Sequence, residues 1–320
     1  MRKGLGAKVM VLKQFNDFLT FFSSIEHLKI DFLLPKVSFY HWEIDTYAMR
    51  ELTFQYGKEG DGSIKNGKLH SDGNLLYIPL NGAHRANGIP LKNGSIVSFK
   101  PGDEFTIMAK GSHDWCNLFI PSKTIKSYLP KVVSPEKLIP SGIVELGPEK
   151  TLRIKQLLSQ IFASVAVGGT TEKDPDLKSK IKKEVADLYK KVVDLDSEKS
   201  SVAVGRPVID RQKIMQSIRR KIENHSLDNI FVEDLVTAAG VSGRTLRKIF
   251  MEYFGISPSR YLSLYRMYEA HAVLLNSDAA TVSVSDIASR FGFWHFGRFA
   301  SDYRRLFGER PFDTLTKNKA

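Results

Sequence analysis

Between residues 36 and 121 the apolar positions come in short alternating or β-branched runs, such as LTFQYG, NLLYIPLNG, GSIVSFKPGDEF and WCNLFIPS. Glycines from Gly57 to Gly111 punctuate them at short intervals. A period of two broken by turn residues predicts closely spaced antiparallel strands in a small β barrel or sandwich. From Pro148 the period changes, and Leu152, Ile154, Leu157, Leu158, Ile161 and Phe162 form a helical stripe. A second helix is predicted from Asp176 to Leu195, where Leu177, Ile181, Val185, Leu188, Val192 and Leu195 recur at spacings of three and four. Such a narrow seam, flanked by Lys and Glu, serves either packing onto its own barrel or contact with a second copy. The stretch DSEKSSVAVGRP, Asp196 to Pro207, has no period and reads as a linker. Helical patterns then run to the end, broken by Gly240, Gly255, Pro258, Gly292, Gly308 and Pro311. The expected fold is therefore α+β in two domains, 1–195 and 208–320, joined by a linker over 196–207.

Those breaks repeat. Gly240-Val241 recurs 52 residues on as Gly292-Phe293, while Phe254-Gly255 and Pro258 recur 53 on as Phe307-Gly308 and Pro311. Leu246, Phe250 and Phe254 match Phe299, Tyr303 and Phe307, and Asp234-Leu235 matches Asp286-Ile287. Each copy is thus a short helix, a tight turn at glycine and a second helix, over about 232–253 and 284–307, the arrangement that places one helix in a major groove. Ser283 and Asp286 have the spacing of a capping box. Pro258 to Asn276 contains no breaker and predicts a connecting helix of about 28 Å at 1.5 Å per residue. Two readers held that far apart reach successive major grooves, which recur about every 34 Å.

Composition changes the picture little. The 320 residues suffice for two domains, each burying its own core. A net charge of +12 favours an anionic partner, with nucleic acid the commonest. The excess is spread, since residues 207–320 hold 17 basic and 12 acidic side chains. No apolar run is long enough for a membrane span. Cys116 is the only cysteine, which excludes an intrachain disulfide and a multi-cysteine metal site and suits a reducing compartment. The opening MRKGLGAKVMVLKQFNDF is basic, but Lys13, Gln14, Asn16 and Asp17 interrupt its apolar patch, so it is a poor signal peptide and a cytoplasmic location is expected.

Residues 207–320 resemble the DNA-binding domain of the AraC/XylS family of bacterial regulators. The residues that carry the resemblance are LVTAAGVSGRTLRKIFMEYFGISPSRYL, YRMYEAHAVLLNSD and VSVSDIASRFGFWHFGRFASDYRRLFGERPFDTL. The resemblance implies base contacts at Arg244, Arg247 and Lys248, with Thr245 on the same outward face. In the second copy the outward residues are His295, Gly297, Arg298, Ser301 and Arg304, and Ser301 stands where the family often has arginine, so backbone or shape contact is the alternative there. Phe293, Trp294 and Phe296 are expected in core or turn packing. In this family a barrel followed by helices implies a cupin-like sensor that also dimerises. The implied partners are double-stranded DNA, RNA polymerase, a second copy of the chain and a small organic effector, with no membrane and no cofactor. Tyr56, Tyr77, His84 and Trp115 are the expected effector-lining residues. His70, His84 and His113 lack the close paired spacing of cupin metal ligands, so no metal site is expected. No nucleophile elbow, phosphate loop or carboxylate pair supports catalysis. Two alternatives stay open: a metal-dependent cupin enzyme with a DNA-binding tail, and an activator that needs no effector.

Overall fold

The computed structural model describes residues 13–15, 18–36, 41–49, 52–128, 142–166, 175–198, 210–224 and 230–317. The first half contains β1 (Lys13–Phe15), α1 (Phe18–Ser23), β2 (Leu28–Leu33), β3 (Trp42–Ala48), β4 (Thr53–Glu59), β5 (Ser63–Leu69), β6 (Gly73–Ala86), β7 (Ile89–Pro90), β8 (Ser95–Phe99), β9 (Glu104–Pro121), α2 (Ser122–Tyr128) and β10 (Gly142–Glu145). Two longer helices follow, α3 (Pro148–Ala166) and α4 (Pro175–Glu198). The second half is helical: α5 (Arg211–Glu223), α6 (Val232–Ala239), α7 (Gly243–Tyr253), α8 (Pro258–Asn276), α9 (Val284–Arg290), α10 (Phe296–Phe307) and α11 (Pro311–Thr316).

The strands form one ten-stranded sheet. Its spine is β9, which pairs antiparallel with β5 through its first part, with β4 through its second, and with β6 along most of its length. Register shifts between Pro79 and Ala83 bend β6, and so turn a long ribbon toward a barrel. Gly57 lies opposite Trp115, where a Cβ would sit 2.2 Å from the indole; only glycine leaves room for that ring.

Because successive side chains alternate, the sheet has two apolar faces. Trp115 and Tyr77 join Trp42, Ile64, Phe99 and Phe105 in one cluster, whereas Cys116, Leu118 and Ile78 join a second cluster under α3 and α4. The Cys116 thiol is free, and burial raises its pKa. Ile181, Val185 and Leu188 belong to that second cluster, buried against their own chain, so this part of the seam serves intrachain packing. The side chains of Leu177, Val192 and Leu195 lie outside the described residues. Helix α4 continues to Glu198, three residues into the expected linker, because no Gly or Pro intervenes before Gly205. The rest of that linker, 199–207, lies outside the described residues.

The first apolar cluster does not stop at the sheet. It continues through Ile214, Leu246, Phe250, Tyr261 and Met267 of the helical half. Polar contacts reinforce the junction: Asn66 Nδ2 donates to the Tyr261 hydroxyl at 3.1 Å, Leu34 N–H to the Tyr268 hydroxyl at 3.0 Å, and Arg219 to the Phe105 carbonyl at 3.3 Å. Arg219 also pairs with Glu104 at 3.4 Å, and Arg85 reaches the Glu252 carbonyl at the end of α7 at 3.3 Å. Sheet and helices therefore share one continuous core.

Candidate nucleic-acid interface

The two helix-turn-helix copies are built by the same local chemistry. In the first, the Asp234 carboxylate accepts the Phe231 N–H at 2.8 Å and satisfies a donor at the start of α6. The chain leaves α6 through Gly240 at φ 61°, a conformation that costs little only for glycine. Ser242 then caps α7 by accepting the Thr245 N–H at 3.2 Å. In the second, Ser283 and Asp286 form a reciprocal capping box, with both bonds at 3.1 Å. Gly292 at φ 75° makes the turn between α9 and α10.

These starts set which faces remain outward. Helix α7 buries Leu246, Ile249, Phe250 and Tyr253 and exposes Arg244, Arg247 and Lys248. Among the described residues none of those three cations forms an ion pair, so each is available to an external anion or base edge. Thr245 is half-buried, and its hydroxyl meets the Ser242 hydroxyl at 3.0 Å. Its place is in the cap, a role the outward spacing alone did not reveal.

Helix α10 buries Phe299, Tyr303, Leu306 and Phe307, and exposes Gly297, Arg298, Ser301 and Arg304, with exposed His295 at its N-cap. Arg298 pairs with Asp302 at 3.7 Å, and Asp302 also receives Arg305, so Arg298 is partly committed. Arg304 makes no ion pair among the described residues. Two of the three aromatic residues around the start of the helix depart from expectation. Phe293 is half-buried beside Phe299, at 5.0 Å between ring centroids, but Trp294 is 72% and Phe296 46% exposed. The cause is position: the buried stripe begins at Phe299, so Phe296, in the turn before it, has little of the bundle over it.

The two helix-turn-helix units are joined by α8, Pro258–Asn276, whose 19 residues span about 28 Å at 1.5 Å per residue. Ser257 caps it by accepting the Arg260 N–H at 3.3 Å, and Pro258 occupies the first turn, where no N–H is required. Tyr261, Leu262, Leu264, Met267, Ala270, His271 and Leu274 are buried along it.

The sheet interior is a second polar centre. Three of the expected effector-lining residues meet there, since Tyr77 stacks near Trp115 and holds His84. Tyr56 does not join them. It pairs in register with Cys116, not Trp115, and so lies on the opposite face, half-buried, with its hydroxyl on Asp114. Burial, then Asp114, raises the pKa of that hydroxyl. His84 Nε2 donates to the Asn81 carbonyl at 2.7 Å, which leaves Nδ1 to accept from the Tyr77 hydroxyl at 2.7 Å. Burial pulls the imidazole down to about 4 despite that carbonyl.

Sequence alone did not reveal the centre of this network, the buried pair Glu59–Lys65. One Glu59 oxygen accepts from Lys65 and from the Trp115 indole, the latter at 2.7 Å. Burial opposes charge on Glu59, but Lys65 and then His113 outweigh it and hold the carboxyl well below its usual range. Burial lowers Lys65 while Glu59 pulls it back. His113 Nδ1 lies 3.0 Å from the Gly111 carbonyl, and Nε2 faces Lys65 at 3.5 Å and Glu59 at 3.4 Å. Both nitrogens of His84 are thus engaged, and His113 faces an ammonium group, an unfavourable setting for a metal cation. His70 is exposed, beside Ser71. Among the described residues no group of three or more His, Cys, Asp or Glu is placed to hold a metal ion. The cavity left between Lys65, Tyr77, Trp115 and Asn117 is about 20 Å³.

Residues 235–317 match the family model described as a helix-turn-helix domain. The chain is 38% identical over 94 residues to the probable thc operon regulatory protein of Rhodococcus erythropolis, a match that covers 29% of this chain and 28% of that one. It is 30% identical over 138 residues to XylDLEGF operon transcriptional activator 2 of Pseudomonas putida, covering 42% of this chain and 87% of the relative. The chain belongs to the AraC/XylS family. As a member of that family of transcription regulators, it spans about a third or less of the length of several curated relatives, 34% for the XylDLEGF operon transcriptional activator of Pseudomonas putida at 35% identity over 115 residues, itself 36% of this chain. Among solved structures, that of the AraC-like transcriptional activator CuxR superposes with a TM-score of 0.42 at 13% identity, covering 82% of this chain and 96% of that one. That overlap is too loose to bear on function. No helix among the described residues is long and apolar enough to cross a membrane.

Proposed function

We propose that this AraC/XylS-family chain is a sequence-specific regulator, most simply an activator, that sets α7 and α10 in successive major grooves of one DNA duplex. The observation that carries this reading is the pairing of two like-built helix-turn-helix units on one connecting helix, the first exposing Arg244, Arg247 and Lys248 free of ion pairs among the described residues. Base reading falls chiefly to α7, because a guanidinium there can grip guanine bidentately. Arg304 of α10 serves phosphate contact, which positions without specifying. The test is binding to a duplex selected from a random pool and to its scrambled counterpart. Arg247→Ala is expected to cost about 1–3 kcal/mol on the selected duplex and little on the scrambled one, whereas Arg304→Ala weakens both. Equal losses for Arg247→Ala on the two duplexes contradict the assignment.

The proposal extends to partners. DNA as target places the chain in the bacterial cytoplasm, and an activator acts on RNA polymerase. A small organic effector suits a sensor of this kind, but Tyr77, His84 and Trp115 are spent on a packed interior with room for about one water molecule. A half-open recess of about 630 Å³ between sheet and helices, lined by Phe99, Ile143 and Tyr253 together with Asp103, Glu104 and Arg211, has the size for it. A homodimer remains part of the proposal, with its contact away from Ile181, Val185 and Leu188. Light scattering on the full chain at micromolar concentration tests it: two copies are expected, and a monomer with and without DNA contradicts it.

A further inference from the structure

We infer that Phe296 reads thymine methyl groups, so that the second helix-turn-helix recognises sequence through an apolar contact. The inference rests on the DNA-binding reading above and concerns what α10 does in its groove. Phe296 is the first residue of α10 and is 46% exposed, while Phe299 and Phe307 of the same helix are buried. Phe296 is not alone, since Trp294 is 72% and Phe312 62% exposed in the same unit, and Phe312 borders the groove beside α10. Water around several aromatic rings is unfavourable, and exposed apolar surface of this kind marks a contact surface.

The neighbours of Phe296 specify the partner. Phe296, Ala300 and Arg304 succeed one another at a spacing of four and share one strip, with Gly297 and Ser301 beside them. Apart from Arg304 at its far end, this strip carries no long polar side chain, unlike α7 with Arg244, Arg247 and Lys248. A Cβ added at Gly297 would meet nothing within 4 Å, so intrachain packing does not require glycine there. Small side chains beside a protruding ring let the helix approach a rigid partner closely. Beside the strip an open groove of about 780 Å³ is bordered by Arg304, Arg305 and Arg310, a basic margin suited to phosphates.

The N-terminal residues of such a helix are those that face base edges in the major groove. Among the groups exposed there, the one that an apolar ring recognises is the C5 methyl of thymine. Basic surroundings and position at the tip of the reader favour DNA over a protein partner as the occupant. Trp294 is more exposed still, at 72%, but it precedes the N-cap and lies off the strip.

The experiment uses the full chain and a duplex selected from a random pool for tight binding. Each thymine of the α10 half-site is replaced in turn by deoxyuridine, which removes the methyl group and keeps base pairing. The expected result is an affinity loss of about fourfold at one or two positions, the value of burying one methyl group. Phe296→Ala is expected to bind the thymine duplex about as weakly as the native chain binds the uracil duplex, and to bind both equally. Phe296→Leu, which keeps an apolar tip, is expected to retain part of the discrimination. Equal binding of thymine and uracil duplexes by the native chain, or undiminished discrimination by Phe296→Ala, overturns the inference while leaving DNA binding intact. If Phe296→Ala keeps its DNA binding and discrimination but loses activation in a reaction with purified RNA polymerase, the face docks protein and the inference is overturned. Failure to select any duplex overturns the underlying DNA-binding reading as well.

Discussion

Lys65 and Glu59 show what a single buried pair demands of its surroundings. Both side chains are almost wholly buried, and Trp115 donates to the same carboxylate oxygen. Removing one partner leaves the other charge without compensation, so Glu59→Gln or Lys65→Met alone is expected to cost about 3–5 kcal/mol in denaturant unfolding. The double variant is expected to lose less than the sum, and strict additivity contradicts the coupling. His84 adds a pH dependence. Burial lowers it from 6.5 to about 4 in the folded chain, so between those values the unfolded chain binds protons that the native His84 refuses. Its contribution is present in full above about pH 6.5 and is lost as pH falls toward 4, an effect on the order of 3 kcal/mol. His27, likewise lowered to about 4 by burial and then by His70, acts in the same direction. The melting temperature of His84→Gln is expected to fall less steeply over that window than that of the native chain. At this scale sequence was an uneven guide. Arg247 and Arg304 were legible as outward residues, since helical spacing fixes which side faces the core. Tyr56 and Trp115 were separated only by strand register, and nothing local in NLLYIPLNG or WCNLFIPS reveals register.

At the scale of elements, the helical half was the more legible. Helix α7 occupies Gly243–Tyr253 and α8 Pro258–Asn276, because Ser242, Ser257, Pro258 and the glycine turns state their boundaries in the sequence. The capping box at Ser283 and Asp286 was readable from spacing alone. The start of α10 was legible to within a residue, but the exposure around it was not, since Trp294 and Phe296 were expected in core or turn packing and are exposed. Gly297 links this element to its use. Alanine there meets no neighbour and favours the helix, so Gly297→Ala is expected to raise stability by roughly 0.5–1 kcal/mol. The same variant is expected to weaken binding to a selected duplex, because the added methyl stands in the strip that approaches DNA. Thermal melts and fluorescence anisotropy read the two effects separately; gain of stability with unchanged binding removes α10 from the groove.

In the whole molecule, the sheet was foreseen from its alternating runs and the helical half from its repeat, but their shared core was not. Asn66, Leu34 and Phe105 look like ordinary strand residues, yet they hold Tyr261, Tyr268 and Arg219 across a junction linking positions far apart in sequence. Such contacts depend on tertiary placement, which periodicity does not encode. They also hold one face of α8 against the sheet half, through Tyr261 and Tyr268. The direct measurement is a hydroxyl-radical footprint of the full chain on a selected duplex. Two protected patches are expected on one side of the duplex, with centres about 10 base pairs apart as successive major grooves require. A single patch, or uniform protection without sequence preference, contradicts two readers acting on adjacent grooves.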